Sequence, residues 1–360
     1  MLKVLIVSPC FGTFGGIESF VFALAEELEN SHEVNVTLCF KRLKNFRLSS
    51  SLNDFIEKSK VKVVFANRGS RELMILMQQF DVVHCQNPCI DIALFAKLLR
   101  KPLVMTIHNW CRRTFQVRPL LFRLAHSLAD QHWYNSDFVW NSWEPNKKKF
   151  TSAKLPIVSN LPTGIVPSSE RKGFVFVSRW IPNKGLEVLL DAYAEASVNR
   201  DAWPLILVGD GPLRAEVEEK VRTQQLQGVV FKGFVDNQTR NDIIRHAKWM
   251  VTPPHTNEDL GLTPIEARHV GVPCIITRDG GLPEAAGVHA LSCEPRNVEQ
   301  LKQILEKAAS IDEEQYQSIS AATHQELLEY LQPMSVYIQH YQKLLASKNI
   351  AFVQDESNVF

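Results

Sequence analysis

The sequence predicts a doubly wound α/β fold written twice along one chain. Three observations carry that expectation. Short apolar runs alternate with helical patterns in two separate series. A stretch with three prolines and little periodicity, between about residues 156 and 171, divides the series. The 360 residues are too many for one ordinary core and suit two domains of roughly 150 to 190 residues.

The first series opens on KVLIVSP, a continuous apolar run of the kind buried on both faces of a parallel sheet. A turn with Gly12, Gly15 and Gly16 follows, and Ile17, Phe20, Val21, Leu24 and Leu28 then recur at helical spacing. Further strands read at EVNVTLCF, VKVVFA, DVVHCQ, PLVMTIHN and HWYNS, with helices at IDIALFAKLLR and RPLLFRLAHSLAD. The second series begins at GFVFVSRW. It continues with strands PLILVG, VVFKGFV, WMVTPP and PCIIT, separated by helices starting near Gly185, Pro212, Gln238 and Pro264. The expected domains are 1–165 and 166–332, two Rossmann-like units facing across a cleft. Ligands bind such sheets at the carboxyl ends of the strands. The helical tail breaks at Pro333, so a last helix at about 334–348 is expected to return to the first domain.

Hydrophobic residues make up 45% and charged residues 22%, an ordinary globular composition. The N-terminal apolar run is cut off by Pro9, too short for a signal peptide or a spanning helix. Seven cysteines, with no CxxC and one CxxxC at Cys85 and Cys89, argue against a disulfide framework and a zinc site and fit a reducing cytoplasm. The net charge of +1 hides an asymmetry: residues 1–165 carry 21 Lys and Arg against 13 Asp and Glu, and residues 166–360 carry 19 against 26. Positive charge clusters at Lys41–Arg47, at Arg112, Arg113, Arg118 and Arg123, and at Lys147–Lys149. Such clusters read either as solvated faces or as attraction to an anionic membrane or a phosphate-bearing acceptor. Their dispersion and the pI near 7.7 speak against nucleic acid.

The chemistry concentrates in the second series. Arg179 and Lys184 in SRWIPNKG follow a strand, a fork and a point charge suited to a diphosphate. As a pair they also fit plain solvated loop charges. Gly15 and Gly16 add a phosphate-friendly turn ahead of a helix, weak as a signal alone. In EDLGLTPIE, Pro264 is expected as the first helical residue with Thr263 as its cap, which leaves Gly261, Leu262 and Thr263 at a positive helix end where an anion docks. Glu258 precedes that loop and Glu266 is expected in the first helical turn, so the two straddle the anion site and can take hydroxyls at either end of one ligand. Glu266 also fits a residue that merely complements the helix dipole. A diphosphate between two hydroxyl-bearing groups describes a sugar nucleotide.

The whole chain, and residues 173–285 most specifically, resembles the retaining glycosyltransferases of the GT-B fold, family 4 type. The resemblance rests on Gly15 and Gly16, on His108 in TIHN, on Arg179 with Lys184, on VGDGP, on GFV, on the Glu-x7-Glu motif from Glu258 to Glu266, and on GGLPE ending at Glu284. It implies transfer of a hexose from a nucleoside diphosphate to an acceptor hydroxyl with retention, without a cofactor or metal; the chain contains no Asp-x-Asp triplet. Arg179 and Lys184 would neutralise the leaving diphosphate, with the amides near Leu262 and Thr263 on phosphate oxygens. Glu266 would hold the ribose and Glu258 would lie by the sugar. His108 would meet the sugar from the first domain, Gly16 would allow close approach, and the backbone at Phe234 and Val235 would meet the base. Asp259 and Asn109 stand where relatives commonly carry Gly and Asp, which bears on the donor sugar more than on the reaction class. The EDLG form is similar to some mannosyltransferases of surface polysaccharide assembly and tilts the donor toward GDP-mannose over a UDP-hexose. The expected acceptor is a glycan or a lipid-linked hydroxyl at the inner membrane face. Competing readings are an epimerase or hydrolase of the same fold and an idle GT-B-like binding module. A nicotinamide enzyme is disfavoured by the missing glycine fingerprint.

Overall fold

The computed structural model describes residues 1–112, 114, 116–155 and 161–356. Two compact units divide the chain: residues 1–160 with 332–360, and residues 161–331. The first carries a seven-stranded parallel sheet of β1 (Leu2–Cys10), β2 (Val34–Arg42), β3 (Lys62–Asn67), β4 (Val82–Gln86), β5 (Leu103–Ile107), β6 (Gln131–Tyr134) and β7 (Ser152–Lys154), in the order β3-β2-β1-β4-β5-β6-β7. The second carries six parallel strands: β8 (Lys172–Val177), β9 (Leu205–Val208), β10 (Val229–Gly233), β11 (Ala247–Thr252), β12 (Cys274–Thr277) and β13 (Leu291–Cys293). Their order is β10-β9-β8-β11-β12-β13.

Both orders reverse direction beside the first strand of their unit, between β1 and β4 and between β8 and β11. Crossover helices leave on opposite faces at such a point, and the strand ends there open onto a crevice. Burial follows from being covered twice: Val4 to Val7 of β1 and Phe174 to Phe176 of β8 are almost wholly inaccessible. The expected two-Rossmann architecture is therefore present in both units. Two short strands, β7 and β13, and the polar helix Ser50–Lys58 were not legible in the apolar pattern. The expected linker at 156–171 falls in part on residues 156–160, outside the described residues.

The tail forms helices Glu313–Tyr330 and Ser335–Glu356, broken around Pro333 as its position implies. The last helix belongs to the first unit. Tyr337 and Tyr341 are buried there against Trp133, with ring centroids 5.2 Å away in each case, and the Tyr341 hydroxyl meets His84 Nδ1 at 2.7 Å. Among the described residues no helix is long and apolar enough to cross a membrane.

Four histidines of this unit are buried as neutral rings. Burial pushes His84 and His108 down to about 3, His132 to about 4 and His126 to about 2, from an ordinary 6.5. Because the folded values lie below the unfolded one, the unfolded chain binds more protons in this window. Stability is therefore full above about pH 6.5 and drains away as pH falls toward 4. Hydrogen-exchange protection of β4, β5 and β6, corrected for intrinsic rates, is expected to fall steadily from pH 7 to 4.5. A flat profile would mean that these rings fold already protonated.

Candidate functional site

In the second unit the strands adjoining the reversal point supply the charged side chains. Two residues past the end of β8 stands Arg179, exposed, and a short 3-10 turn at Pro182–Lys184 then presents Lys184. Gly185 ends that turn at φ +72° and starts the helix Leu186–Glu195; a Cβ there would come within 1.9 Å of the Pro253 carbonyl oxygen. Glycine thus lets the loop after β8 lie directly on the loop after β11, and the His255 amide bonds the Asn183 carbonyl at 3.2 Å across the same seam. The outcome is a contact of 2.6 Å between Lys184 Nζ and Glu258 Oε2, both about four-fifths shielded. Residues 74 positions apart meet because their strands are neighbours.

The backbone of Glu258 is pinned from below. Its carbonyl accepts from the Gly281 amide at 2.7 Å, and the neighbouring Asn257 amide donates to Asp279 at 2.7 Å. Gly280, at φ +59°, would place a Cβ 2.1 Å from that same Glu258 carbonyl. This explains the paired glycines of GGLPE as a seat for the acidic loop rather than as ligands. On the other side, VGDGP lies against the Arg179 segment, with the Trp180 amide donating to the Asp210 carbonyl at 2.9 Å.

The helix after β11 runs from Leu262 to His269, with Gly261 as its cap and no side chain closing its first amides. This corrects two expectations. Thr263 does not cap and Pro264 is not first: both lie inside the opening turn, where a proline is tolerated because its missing amide hydrogen would have no intrahelical partner. The first-turn amides at Leu262 and Thr263 remain available to an anion. Glu266 is likewise not in the first turn but one residue beyond it, and it is buried. Its Oε1 pairs with Arg240 at 3.1 Å, and its Oε2 is buried with no hydrogen-bond partner among the described residues. Burial raises its pKa, and the Arg240 guanidinium opposes that rise. Arg240 was missed because nothing in its local sequence marks it; only the packing of the helix Asn237–Arg245 brings it to Glu266. Phe234, just past β10, is 83% exposed, and Val235 packs on the core.

The first unit holds the remaining candidates. Gly15 caps and Gly16 begins the helix Gly16–Asn30, with Gly15 in extended backbone and no side-chain cap bond. His108 follows β5 and is buried. Three bonds fix it: its amide donates to Asn87 Oδ1 at 2.8 Å, its carbonyl accepts from Asn135 at 3.1 Å, and its Nε2 meets Gln86 Oε1 at 2.7 Å. An amide oxygen can only accept, so the ring proton sits on Nε2 and Nδ1 carries the lone pair. The chain continues inward. The Gln86 amide faces His84 Nε2 at 3.2 Å, Thr106 Oγ1 faces the same nitrogen at 2.6 Å, and Tyr341 faces His84 Nδ1. Gln86 and His84, both wholly buried, were legible in the sequence only as strand residues.

His126, His132 and Glu144, all buried, bring ligand-type atoms within 4.8 Å of one another. Both Glu144 oxygens accept hydrogen bonds, from Tyr134, Ser152, Trp140 and the Lys149 amide, and the two imidazoles stack at 3.8 Å. Cys85 and Cys89 are free thiols, as are the other five cysteines.

Comparison with known proteins agrees with this fold. Residues 14–155 match the model of Glycosyltransferase Family 4, and residues 163–325 match that of Glycosyl transferases group 1. A D-rhamnosyltransferase of Pseudomonas aeruginosa is 25% identical over 299 residues, 77% of each chain. The O-antigen chain mannosyltransferase C of Escherichia coli is 33% identical over 103 residues, 28% of this chain and 26% of that one. Among solved structures, Anabaena HepE in complex with UDP superposes with a TM-score of 0.79 at 17% identity, over 96% of this chain and all of that one, a likeness of fold. The two family models leave out only residues 1–13, 156–162 and 326–360, and the chain belongs to the GT-B glycosyltransferases built from a family 4 half and a group 1 half.

Proposed function

We propose that this glycosyltransferase moves a hexose from a nucleoside diphosphate to a hydroxyl of a glycan or lipid-linked acceptor at a membrane face, with retention and without a metal. The observation that carries the reading is the pairing of Lys184 with Glu258 at 2.6 Å beside an uncapped helix start. A cation held by one carboxylate at a strand end, with free amides alongside, is ready to exchange that partner for a diphosphate. Glu258 is then freed toward the sugar. Glu266 supports the ribose role, since its buried spare oxygen lacks a donor and a ribose hydroxyl supplies one.

In the reaction, negative charge grows on the diphosphate as the glycosidic bond breaks. Lys184, Arg179 and the amides at Leu262 and Thr263 stabilise that charge more strongly in the transition state than in the ground state, which is the part of binding that accelerates chemistry. These groups take the role a metal plays in other transferases. The departing phosphate accepts the proton of the attacking hydroxyl, so no dedicated base is required. His108 is neutral across the working pH range and offers Nδ1 to a sugar hydroxyl as an acceptor. Gly15 and Gly16 admit the donor closely, and Phe234 with Val235 meets the base.

The donor reading tilts to GDP-mannose over a UDP-hexose, on the EDLG motif and the mannosyltransferase relative. A panel of nucleotide sugars, read by thermal shift and by slow donor hydrolysis, decides base and sugar together. Lys184→Ala is expected to lower turnover at least ~100-fold with an unchanged thermal midpoint, as the loss of a charge that acts on the leaving group implies. Near-normal turnover would remove the assignment. Glu266→Gln is expected to weaken nucleotide binding roughly 10- to 100-fold, the worth of one charge-assisted hydrogen bond. A nucleotide lacking both ribose hydroxyls should bind the wild type and this variant alike. If the variant discriminates between the two nucleotides as sharply as the wild type, Glu266 does not hold the ribose.

A further inference from the structure

In the first unit, two neighbouring helices expose apolar side chains that a helix packed on a core ordinarily turns inward. The helix Ile90–Leu98 buries Ile92, Ala93 and Ala96 and leaves Leu94 and Leu98, one turn apart, on its outer side. The helix Val117–Leu128 packs against it, buries Ala125 and His126, and turns Val117, Leu120 and Leu124 outward at i, i+3 and i+7. These five residues are between 44% and 72% exposed. Scattered surface leucines need no explanation, but two aligned stripes on packed helices form a patch.

The charge around the patch is one-sided. Residues 90–128 contain seven Lys and Arg (Lys97, Arg100, Lys101, Arg112, Arg113, Arg118, Arg123) and a single acid, Asp91. That acid is spent on Lys41, 2.7 Å away. Arg118 lies over the Phe122 ring at 5.3 Å and Arg112 over Trp110 at 5.3 Å, so both exposed guanidinium groups sit beside aromatic surface.

We propose that the outer faces of the helices Ile90–Leu98 and Val117–Leu128 form one docking surface for an anionic bilayer. The leucines and Val117 enter the acyl boundary, and the flanking cations meet lipid phosphates. A second copy of the chain is the wrong occupant on charge grounds. A self-complementary contact would set the exposed Arg100, Arg112, Arg118 and Arg123 against the same residues of the other copy. The inference rests on the membrane-face acceptor proposed above and gives it a place on the molecule.

The test is cosedimentation of the full chain with phosphatidylglycerol-containing and pure phosphatidylcholine vesicles, at low and high salt. Wild type is expected on the anionic vesicles only, with binding that weakens as salt rises. Arg118→Gln with Arg123→Gln should weaken it roughly 30-fold, from the usual contribution of two juxtamembrane cations. Leu98→Gln, Leu120→Gln and Leu124→Gln together should weaken it by at least ~10-fold through lost apolar insertion. Donor hydrolysis in free solution and nucleotide-induced thermal shift should be unchanged in both variants, since none of these residues belongs to the donor site. Absent binding, salt-insensitive binding, or variants that bind like wild type would overturn the proposal. So would a concentration-dependent dimer in light scattering that the leucine variant dissolves. Should the leucine variant fail to fold, the arginine pair decides alone. Loss of donor hydrolysis in the wild type with vesicle binding intact would instead remove the reaction assignment and leave the surface standing.

Discussion

The contact between Lys184 and Glu258 concentrates the constraint on which the candidate site of the second unit depends. A parallel sheet that reverses direction between β8 and β11 puts two strand ends side by side and sends their helices to opposite faces. Opposite charges on the two loops then meet without either chain having to reach. A partly shielded pair of this kind contributes little to stability. In the proposed function its value lies in holding an ammonium group in place before the diphosphate arrives, which reduces the ordering cost at binding. The neighbouring glycines belong to the same constraint, because Gly185 and Gly280 let backbone approach backbone under the two charged residues.

The first unit solves a different problem, that of orienting a neutral imidazole in a buried setting. His108 is not activated by a carboxylate. Gln86 fixes its tautomer, and Gln86 in turn faces His84, which Thr106 and Tyr341 hold, so the network leaves His108 Nδ1 as the ring atom open to a ligand. A carboxylate at the position of Gln86 would pull the ring toward its charged form. An amide leaves it neutral, and a neutral ring can accept from a sugar hydroxyl while remaining compatible with burial.

Much of this was legible in the chain because it follows from local pattern. Continuous apolar runs marked the strands, glycine marked the turns, and the spacing of Arg179 with Lys184 and of Glu258 with Glu266 marked the charged loops. What was not legible depends on contacts between residues far apart in sequence. Arg240 gives no local sign that it will face Glu266, and Gln86 in a buried strand looks like any strand residue. The helix at Leu262 starts earlier than Thr263 and Pro264 suggest, because Gly261 takes a φ of +98° and turns the chain two residues sooner. That shift moves Glu266 from a dipole-facing surface position into the interior, where pairing with Arg240 is needed to hold it.

The placement of the last helix in the first unit has a consequence for how the protein is made. The unit built from residues 1–160 is completed by residues after 332, because Tyr337 and Tyr341 cover Trp133 and Tyr341 bonds His84. As the polypeptide leaves the ribosome, the unit of residues 161–331 is whole first, and the other unit waits with an uncovered aromatic seam until residues 337–341 emerge. A nascent chain stalled before residue 337 would therefore carry one finished domain and one unsealed domain, the latter exposing Trp133 to chaperones.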